Sequence, residues 1–431
     1  MVAGPRARRV PFNGVDSLMR VLDEPGRPQT IELEVAVTDR LVDHRLREAV
    51  ATAVGRHPMA RAFQVPAKPF DLNSAWEIDD VVGDDAVETR DAGDRAEVDT
   101  IRNTFFSRHI DLDTAPPFRL LVVHHHGGDQ VMLSVNHAAF DGIGALRLLQ
   151  SVSRAYTGHD DPLPDVDPIE VRGLLDDDNR ERARRAATGN RSPFDRLPRR
   201  PTRLAPSAAE GSPGFGILHL DIDVADASAP PGATVNDVLI AALHWTVDQW
   251  NRSHGADCDH VAIMMPVNRR PDAWRNEILA NLVVSARVVS TPTDRARPQR
   301  LLEAVTTQTR TIKLNGVGPS ANLARTSRTP VWLRSLLPHV VDAVADRMAD
   351  TAVLSNLGRV EDPPWFGSDA TGLWFSPPPR HPVILTVGTA TIGDRLCVSL
   401  RWCQSALSPA AARAFGDTFL ASLRAVRATD T

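Results

Sequence analysis

The sequence predicts a mixed α/β protein built from two halves of similar size. Three observations support this fold class. Strand and helix patterns alternate without the strict order of a parallel βαβ protein, each half runs strand, helix, strand, and residues 157–215 between the halves are rich in Pro, Asp and Arg. With 431 residues, of which 42% are hydrophobic and 24% charged, the chain is ordinary for a globular protein and long enough for two or three domains.

The first half begins with a strand and a helix. Residues 31–37, IELEVAV, alternate apolar and charged side chains as a half-buried strand does. The next segment places apolar residues at helical spacing and ends near Gly55 and Pro58, which are residue types that stop helices. These apolar residues are Leu46, Ala49, Val50, Ala53 and Val54.

A hairpin and a second helix follow. Residues 118–125 and 131–137 read as two strands joined by a turn at Gly127 and Gly128. After this hairpin, apolar residues again recur at helical spacing, at Ile143, Leu146, Leu149, Val152 and Tyr156.

The second half restarts with a strand at 216–224. Thr234 and Asp237 then stand three residues apart before an apolar helix, the spacing of a capping box. Strands are also predicted at 260–268, 281–289, 351–360, 381–390 and 395–402, and a closing helix at 408–427. The predicted organisation is an N-terminal domain at 1–175, a linker at 176–215 and a C-terminal domain at 216–431.

Composition argues against several classes of protein. The net charge is −5 with both signs mixed, so the sequence lacks the basic stripe that nucleic acid requires. Cys258, Cys397 and Cys403 form no CxxC pair, so neither a zinc site nor a disulfide framework is indicated. No run approaches about 18 apolar residues, and MVAGPRARRVPF has no apolar segment behind its charges. We therefore expect a cytoplasmic protein with no membrane span, no metal and no nucleic-acid partner.

Two clusters of rings have structural and functional interpretations. His124, His125 and His126 invite a metal site, but they alternate in direction beside the Gly-Gly turn without a carboxylate or cysteine at ligand spacing, so surface hairpin histidines are predicted. A second cluster consists of four aromatic residues between positions 365 and 375. We predict that they belong to the hydrophobic core rather than to the wall of a substrate channel. It comprises Trp365, Phe366, Trp374 and Phe375.

The stretch VMLSVNHAAFDGIG, residues 131–144, is the candidate for chemistry. His137 ends the apolar face of a predicted strand, while Asn136 faces the other way. Asp141 and Gly142 open the turn into the next helix, where glycine permits a tight bend. A neutral imidazole there can take a proton from a hydroxyl or amine, which is worth about 10²–10⁴ in rate. On spacing alone, a hydrogen-bonded core histidine is the favoured interpretation.

A resemblance adds to this reading. NHAAFDG resembles the HHxxxDG motif of the coenzyme A-dependent acyltransferase superfamily, which includes nonribosomal peptide condensation domains, polyketide-associated acyltransferases and wax ester synthases. Six further stretches are similar to landmarks of the superfamily, in its order, and only 157–215 is unmatched. They are PFNGVDSLMRVLDEPGRPQTIELEVAV, LREAVATAVGRHPMARA, FSRHIDLDTAPPFRLLVV, TVNDVLIAAL, MPVNRRP with ANLVV, and SNLGRV.

The resemblance implies two chloramphenicol-acetyltransferase-like α/β domains that form a V-shaped pseudo-dimer around a central tunnel. It implies that His137 is a general base that activates an acceptor hydroxyl or amine for direct attack on a thioester, with no acyl-enzyme and no bound cofactor. The co-substrate would be acyl-coenzyme A or a phosphopantetheinyl thioester on a carrier protein supplied in trans.

The resemblance also implies supporting roles. Asp141 would be structural and paired with Arg61, so that the loop presents His137. Gly142 would leave room for the pantetheine arm of the donor. Ser355 and Asn356 would supply hydrogen bonds near the oxyanion.

The sequence departs from the motif at its first histidine, which is Asn136 here. Because Asn136 faces away from the site, we expect the change to affect local hydrogen bonding more than chemistry. The segments PLW of wax ester synthases and DFGWG of plant acyltransferases are not found, which favours a condensation-like or polyketide-associated acyltransferase. A condensation-fold enzyme repurposed for cyclisation, and a non-catalytic carrier-protein-binding scaffold, are the alternatives.

Overall fold

The computed structural model of this chain describes most of its residues. These are 8–66, 74–79, 86–169, 172, 199–207, 213–277, 281–315 and 349–428. In this part of the chain, helices pack against β-sheets, two of which contain both parallel and antiparallel strands. The predicted α/β class is therefore confirmed.

The strands in this part of the chain are β1 (Arg8–Pro11), β2 (Thr30–Val37), β3 (Ala62–Val65), β4 (Ala75–Ile78), β5 (Val87–Asp91), β6 (Phe118–His124), β7 (Gln130–Asn136), β8 (Phe215–Asp223), β9 (Val261–Asn268), β10 (Val283–Ser290), β11 (Ala352–Arg359), β12 (Ala370–Ser376), β13 (Leu385–Ile392) and β14 (Arg395–Cys403). The helices are α1 (Gly14–Leu22), α2 (Asp43–Arg56), α3 (Arg95–Phe106), α4 (Gly142–Thr157), α5 (Val235–Ser253), α6 (Pro298–Asn315) and α7 (Pro409–Arg427). Short 3-10 turns connect some of them.

The elements with strong local patterns form where the sequence predicts them. The hairpin of β6 and β7 is antiparallel, and Gly128 at its turn has φ +106°, a value that glycine adopts without strain. Helix α5 begins with the predicted capping box, in which Thr234 accepts from the backbone of Asp237 and Asp237 accepts from the backbone of Thr234. Ser408 caps α7.

A five-stranded sheet carries the hairpin. Its order is β12-β2-β7-β6-β5, with β5 and β6 parallel and the other neighbours antiparallel. Helices α2 and α4 pack together over this sheet, and the apolar core between them includes Leu46, Val50, Leu133 and Leu149. Each such side chain that is fully buried stabilises the fold by about 1.5–3 kcal/mol.

A six-stranded sheet forms the second core. Its order is β10-β9-β11-β13-β14-β8, in which β11 runs parallel to both β9 and β13 and the remaining pairs are antiparallel. Helices α5, α6 and α7 cover it. A smaller antiparallel sheet, β1-β4-β3, lies beside the first core.

The second half of the chain contributes one strand to the five-stranded sheet of the first half. Strand β12 comes from the second half of the sequence but pairs with β2 at the edge of the five-stranded sheet. The predicted division at 1–175 and 216–431 therefore does not separate the sheets cleanly, and residues 176–198 of the predicted linker lie outside the described part of the chain.

The prediction that residues 31–37 form a half-buried strand is wrong in one respect, because all eight residues of β2 are buried. Its charged side chains meet two buried arginines, one from each half of the chain. Glu32 forms an ion pair with Arg401 at 3.3 Å, and Glu34 accepts from Arg102 at 2.7 Å. Burial of these carboxylates is tolerated because each has a cationic partner.

Candidate functional site

Strand β7 places His137 directly after its last residue, in the turn that leads to α4. The strand is buried between β2 and β6, and it ends at Asn136, one residue before the histidine. The His137 amide donates to the carbonyl of Gln29 at 2.8 Å, and a turn follows in which Phe140 N bonds to Asn136 O. His137 is partly exposed, although Asn136 and Ala138 on either side are fully buried. His137 is thus the one partly exposed residue in the stretch 136–141, whose other residues are buried.

One ring nitrogen of His137 is occupied. Nδ1 lies 3.0 Å from the carbonyl oxygen of Phe140, and because a carbonyl only accepts, Nδ1 carries the proton. Nε2 is then the unprotonated nitrogen of the neutral ring. Burial lowers the pKa of His137, while contacts with its own backbone, the charge of Asp141 and hydrogen bonds involving Phe140 and Asn281 act in the opposite direction. The histidine is therefore a neutral base at neutral pH.

Asp141 fastens the histidine turn to both α4 and the second half of the protein. Its Oδ1 caps α4 by accepting from Gly144 N at 2.9 Å. Both carboxylate oxygens also accept from the guanidinium of Arg270, at 2.7 and 2.8 Å, and Oδ2 accepts from Leu282 N at 2.9 Å. Burial acts to raise the pKa of Asp141, but the charge and hydrogen bonds of Arg270, with the two backbone donors, hold it below its ordinary value.

The predicted pairing of Asp141 with Arg61 is wrong. Arg61 ends a 3-10 turn, and its carbonyl accepts from Asp79 N at 3.0 Å. The four donors that Asp141 receives from Arg270, Gly144 and Leu282 already saturate its carboxylate. The resemblance points to position 61, whereas the observed partner, Arg270, comes from the other half of the chain.

Asn136 is used for local hydrogen bonding. Its Nδ2 donates to Asp23 Oδ2 at 2.8 Å and to Ile110 O at 3.2 Å, and its Oδ1 accepts from Ala138 N at 2.9 Å. Burial acts to raise the pKa of Asp23, but bonds from His109, the backbone of Gln29 and Asn136 lower it overall. These three bonds hold the turn in which His137 lies, and strand alternation predicts that the Asn136 and His137 side chains face opposite ways.

Gly142 allows a close approach between the halves. A Cβ added there would lie 2.8 and 2.9 Å from the ring of Phe375 and 3.1 Å from Leu357 Cδ2. Close packing against Phe375 and Leu357 therefore explains why position 142 is occupied by glycine. Its predicted role in admitting the pantetheine arm of the donor stays a prediction.

Ser355 and Asn356 lie on β11, close to the histidine loop, because Leu357 of the same strand reaches Gly142. Asn356 Oδ1 accepts from Gly358 N at 2.8 Å in a local turn, where the pairing of β11 with β13 also shifts register. The role of Ser355 and Asn356 near the oxyanion stays a prediction.

Sequence reasoning missed two residues that hold the histidine turn, Arg270 and Asn281. Both lie within landmarks that the sequence does mark, MPVNRRP and ANLVV, but nothing in the local pattern says which residue they meet. Asn281 is fully buried, and its Nδ2 donates to the carbonyls of His137 at 2.6 Å and Ala138 at 3.0 Å. The signal that could have found them is a polar or charged residue directly beside a predicted strand, since Arg270 follows β9 and Asn281 precedes β10.

The two ring clusters have structural roles. Phe366, Trp374 and Phe375 are buried in the core of the five-stranded sheet, with Trp365 packed against it, which confirms the core interpretation.

The prediction that all three hairpin histidines lie at the surface is wrong for His124. This residue is buried between Asp129 at 2.8 Å and Asp43 at 2.9 Å, because β6 turns its ring toward the start of α2.

The described residues contain no group of three or more His, Cys, Asp or Glu side chains arranged to hold a metal ion. In the same part of the chain, no helix combines the length and the apolarity that a membrane crossing requires.

Comparison with known proteins finds relatives in sequence and in structure. No family model matches the chain. Two curated sequences from strains of Mycobacterium tuberculosis, Uncharacterized protein MT2362 and Uncharacterized protein Rv2305, are each 33% identical over 400 residues, covering 87% of this chain and 89% of the relative.

Solved structures share the fold at low sequence identity. The starter condensation domain of rhizomide synthetase, in complex with C8-CoA and Leu-SNAC, superposes with a TM-score of 0.69 at 13% identity, covering 98% of this chain and 95% of that one. The condensation domain from Monacolin K polyketide synthase gives 0.68 at 13% identity, with 98% of both chains covered. The epimerization domain from the third module of tyrocidine synthetase B gives 0.65 at 14% identity, covering 97% of this chain and 96% of that one.

Proposed function

Because this chain belongs to the family of the uncharacterized protein Rv2305 and has the condensation-domain fold of the coenzyme A-dependent acyltransferase superfamily, we propose that it is an acyltransferase that moves an acyl group from a thioester to a hydroxyl or amine. The observation that carries this proposal is the state of His137. Its Nδ1 is bound to Phe140 O, so Nε2 is left as the base, and His137 is partly exposed in a turn whose other residues are buried.

In the proposed reaction, Nε2 of His137 takes the proton of the acceptor O–H or N–H as the acceptor attacks the thioester carbonyl. The new C–O or C–N bond forms, the C–S bond breaks, and the imidazolium returns the proton to the leaving thiolate. A neutral histidine suits this step because it must accept a proton at neutral pH. Ser355 would donate to the oxygen that becomes negative, in the manner of an oxyanion hole.

The cysteines support direct transfer without an acyl-enzyme. Burial raises the pKa of Cys258, Cys397 and Cys403 to about 11, so each is a protonated thiol at neutral pH. A thiol is a far weaker nucleophile than a thiolate, and none of these residues lies in the histidine turn. The acyl group would therefore pass from donor to acceptor in one attack.

The proposed donor is acyl-coenzyme A or an acyl-carrier protein supplied in trans. The rhizomide synthetase domain with the same fold was solved with C8-CoA and Leu-SNAC, an acyl thioester of coenzyme A and an amino-acyl thioester. That precedent supports a tunnel-type site that receives two substrates in this chain, and a medium-length acyl chain is the first donor to try.

The experiment is a substrate panel. Purified protein is incubated with short, medium and long acyl-coenzyme A thioesters and a mixture of alcohols and amines, while free thiol and product masses are measured. His137→Ala is compared with His159→Ala, which removes an exposed histidine just after α4. Thiol release with an acylated product that is lost only in His137→Ala supports the proposal.

Three outcomes would contradict it. Transfer that survives His137→Ala would remove the histidine from the mechanism. A wild type that transfers from neither coenzyme A nor a carrier-bound thioester, but binds carrier protein, would favour the scaffold alternative, and a dehydrated ring product would favour cyclisation.

A further inference from the structure

Asp23 is connected to the histidine turn through both of its carboxylate oxygens. It follows the last residue of α1 and is 5% exposed. Its Oδ1 accepts from Gln29 N at 2.8 Å, and its Oδ2 accepts from Asn136 Nδ2 at 2.8 Å and from His109 Nε2 at 3.1 Å. Burial acts to raise the pKa of Asp23, but these bonds lower it overall, so the group is an ionised acceptor at neutral pH.

Two of these three partners continue into the backbone of the turn. Gln29, which donates its N–H to Asp23, accepts at its carbonyl from His137 N at 2.8 Å. Asn136, which donates its Nδ2 to Asp23, accepts at its Oδ1 from Ala138 N at 2.9 Å. Two consecutive amides of the turn are thus bonded to residues that one carboxylate fixes. Hydrogen bonds linked in such chains strengthen one another in a buried place.

The carbonyls of the same two residues are bonded as well. Asn281 Nδ2 donates to His137 O at 2.6 Å and to Ala138 O at 3.0 Å. Every backbone polar group of residues 137 and 138 therefore has a partner, and Nδ1 of the imidazole is bonded to Phe140 O. The position of the ring depends on this backbone, and the amide side of the backbone depends on Asp23.

We propose that Asp23 is a positioning residue for His137. Its carboxylate keeps Gln29 and Asn136 in the orientation that holds the turn, and the turn places Nε2 of the imidazole for proton transfer. This inference rests on the proposed function, because a base that removes the proton of the acceptor requires such placement. A shift of about 1 Å in a reacting group can cost about 100-fold in rate.

The test compares the kinetics of wild type and Asp23→Asn. The amide oxygen of this variant can still accept from Gln29 N, but its NH2 group faces the donors of Asn136 and His109. We expect kcat for acyl transfer to fall about 10- to 100-fold. The KM for the thioester should stay unchanged, because the lost interaction acts on the base and not on substrate binding.

Hydrogen exchange gives a second readout that needs no turnover. The amides of His137 and Ala138 are followed by NMR in wild type and in Asp23→Asn, under conditions where both proteins are folded. Because the bonds that protect these amides depend on the carboxylate, we expect both to exchange about 10-fold faster, or more, in the variant.

Asp129→Asn is the matched control. Asp129 precedes β7, at the end of the strand opposite Asn136, and is 0% exposed. Its Oδ2 also accepts from one backbone amide, Leu41 N at 2.7 Å, and from one histidine, His124 Nδ1 at 2.8 Å. The change should lower the urea midpoint of unfolding as Asp23→Asn does, but leave kcat and the exchange of the two turn amides as in wild type.

A double variant restores the pairing in reverse. In Asp23→Asn with Asn136→Asp, the new amide at position 23 donates to the new carboxylate at position 136, which still accepts from Ala138 N. The bond of 3.2 Å to Ile110 O is lost. We expect the double variant to fold and its kcat to exceed that of Asp23→Asn. If the single variant does not fold, a folded double variant without acyl transfer would overturn the role of this pairing.

The outcomes separate the two proposals. If wild type transfers acyl groups and Asp23→Asn loses no more kcat than Asp129→Asn, Asp23 is not a positioning residue, while the acyltransferase assignment stands. Turn amides that exchange at the wild-type rate in Asp23→Asn refute the role of Asp23 in the same way. If wild type transfers no acyl group although the amides respond as expected, the acyltransferase assignment fails, and with it the placement of a base by Asp23.

Discussion

Asp141 and Arg270 form a buried ion pair that joins the two halves of the protein at the histidine turn. The guanidinium is 0% and the carboxylate 2% exposed, and two hydrogen bonds of 2.7 and 2.8 Å connect them side by side. This two-bond geometry is the strong form of an arginine–carboxylate contact. Since Asp141 also caps α4, the position of His137 depends on a residue that lies beyond β9.

Removing the cation should therefore destabilise the protein strongly. Arg270→Gln leaves Asp141 buried without its charge partner, and breaking one side of such a pair costs about 3–5 kcal/mol. Urea unfolding at pH 7 measures this loss. Arg40→Gln is the control, because the Arg40–Asp91 pair is 66% and 80% exposed and its loss should change stability by about 0–1 kcal/mol. If Arg270→Gln and Arg40→Gln lower the free energy of unfolding equally, the buried pair of Arg270 and Asp141 does not stabilise the protein more than an exposed pair.

The limits of prediction at this site are physical. The hairpin of β6 and β7 and the capping box of α5 were predictable because strand alternation and helix caps are local properties of the chain. The partner of Asp141 was not, because a contact between residues 141 and 270 depends on how two sheets meet. The wrong choice of Arg61 came from matching a motif rather than a geometry.

For the fold, too, contacts between residues that are distant in sequence were not predictable, as strand β12 and the carboxylates of β2 show. The aromatic residues of β12 were predicted to be core, but their pairing with β2 spans more than half of the sequence. Glu32 and Glu34 look like the solvent side of a strand until Arg401 and Arg102 are placed opposite them. Alternation identifies the two faces of a strand, but not what covers the second face.

Restoring the histidine of the family motif should not help this protein. In Asn136→His the imidazole must replace an amide that bonds to Asp23, Ile110 O and Ala138 N at once, and it cannot satisfy all three. We expect a loss of about 1–3 kcal/mol in stability and no gain in kcat, since the side chain faces away from the site. Thermal unfolding and turnover measured on Asn136→His and Asn136→Ala would check this. A higher kcat in the histidine variant would contradict it.

Glu32 should make part of the stability depend on pH. Burial raises its pKa to about 7, although the charge of Arg401 and hydrogen bonds from Thr30, Ser134 and Arg401 oppose the change. A carboxyl group with a higher pKa in the folded state stabilises the folded protein when it is protonated. For Glu32 this contribution is complete below its unfolded pKa of 4.5, and it is lost as the pH rises to the folded pKa of about 7. Relative to Glu32→Gln, wild type should lose roughly 3 kcal/mol across this interval.

Urea unfolding of both proteins at closely spaced pH values would measure that difference. Comparison with Glu32→Gln removes the opposite pH dependence of buried histidines such as His57, whose pKa burial lowers to about 4. Ser134→Ala is a useful companion, because it removes a hydrogen bond of 3.2 Å to the same carboxylate and should extend the pH interval upward. A difference that stays constant from pH 4.5 to 7 would contradict the prediction.

The proposed acyltransferase activity should persist at pH values slightly below 6.5. The general base works only when neutral, and burial lowers the pKa of His137 below the 6.5 of an ordinary histidine. The acidic limb of the kcat/KM profile should therefore have its midpoint below pH 6.5, with activity lost as pH falls through it. Profiles taken with a saturating acceptor would locate the limb. A midpoint at or above pH 7 would indicate another titrating group.

Gly142 distinguishes packing from substrate binding. Alanine is a better helix former than glycine by about 1 kcal/mol, so without neighbours Gly142→Ala would be neutral or stabilising at the start of α4. Here the added methyl would meet the Phe375 ring at 2.8 Å, and overpacking of this kind costs about 1–3 kcal/mol. Phe375→Leu alone should also destabilise, since Phe375 is 2% exposed.

The double variant decides between the two roles of the glycine. If the methyl clashes with Phe375, then Gly142→Ala with Phe375→Leu should be more stable than the sum of the single changes by about 0.5–3 kcal/mol, measured by urea unfolding. If Gly142 instead makes room for the donor, the single alanine change should leave stability unaltered, raise KM for the thioester and show no coupling to Phe375. Because the methyl would fall on a ring that is already in place, we expect the first result.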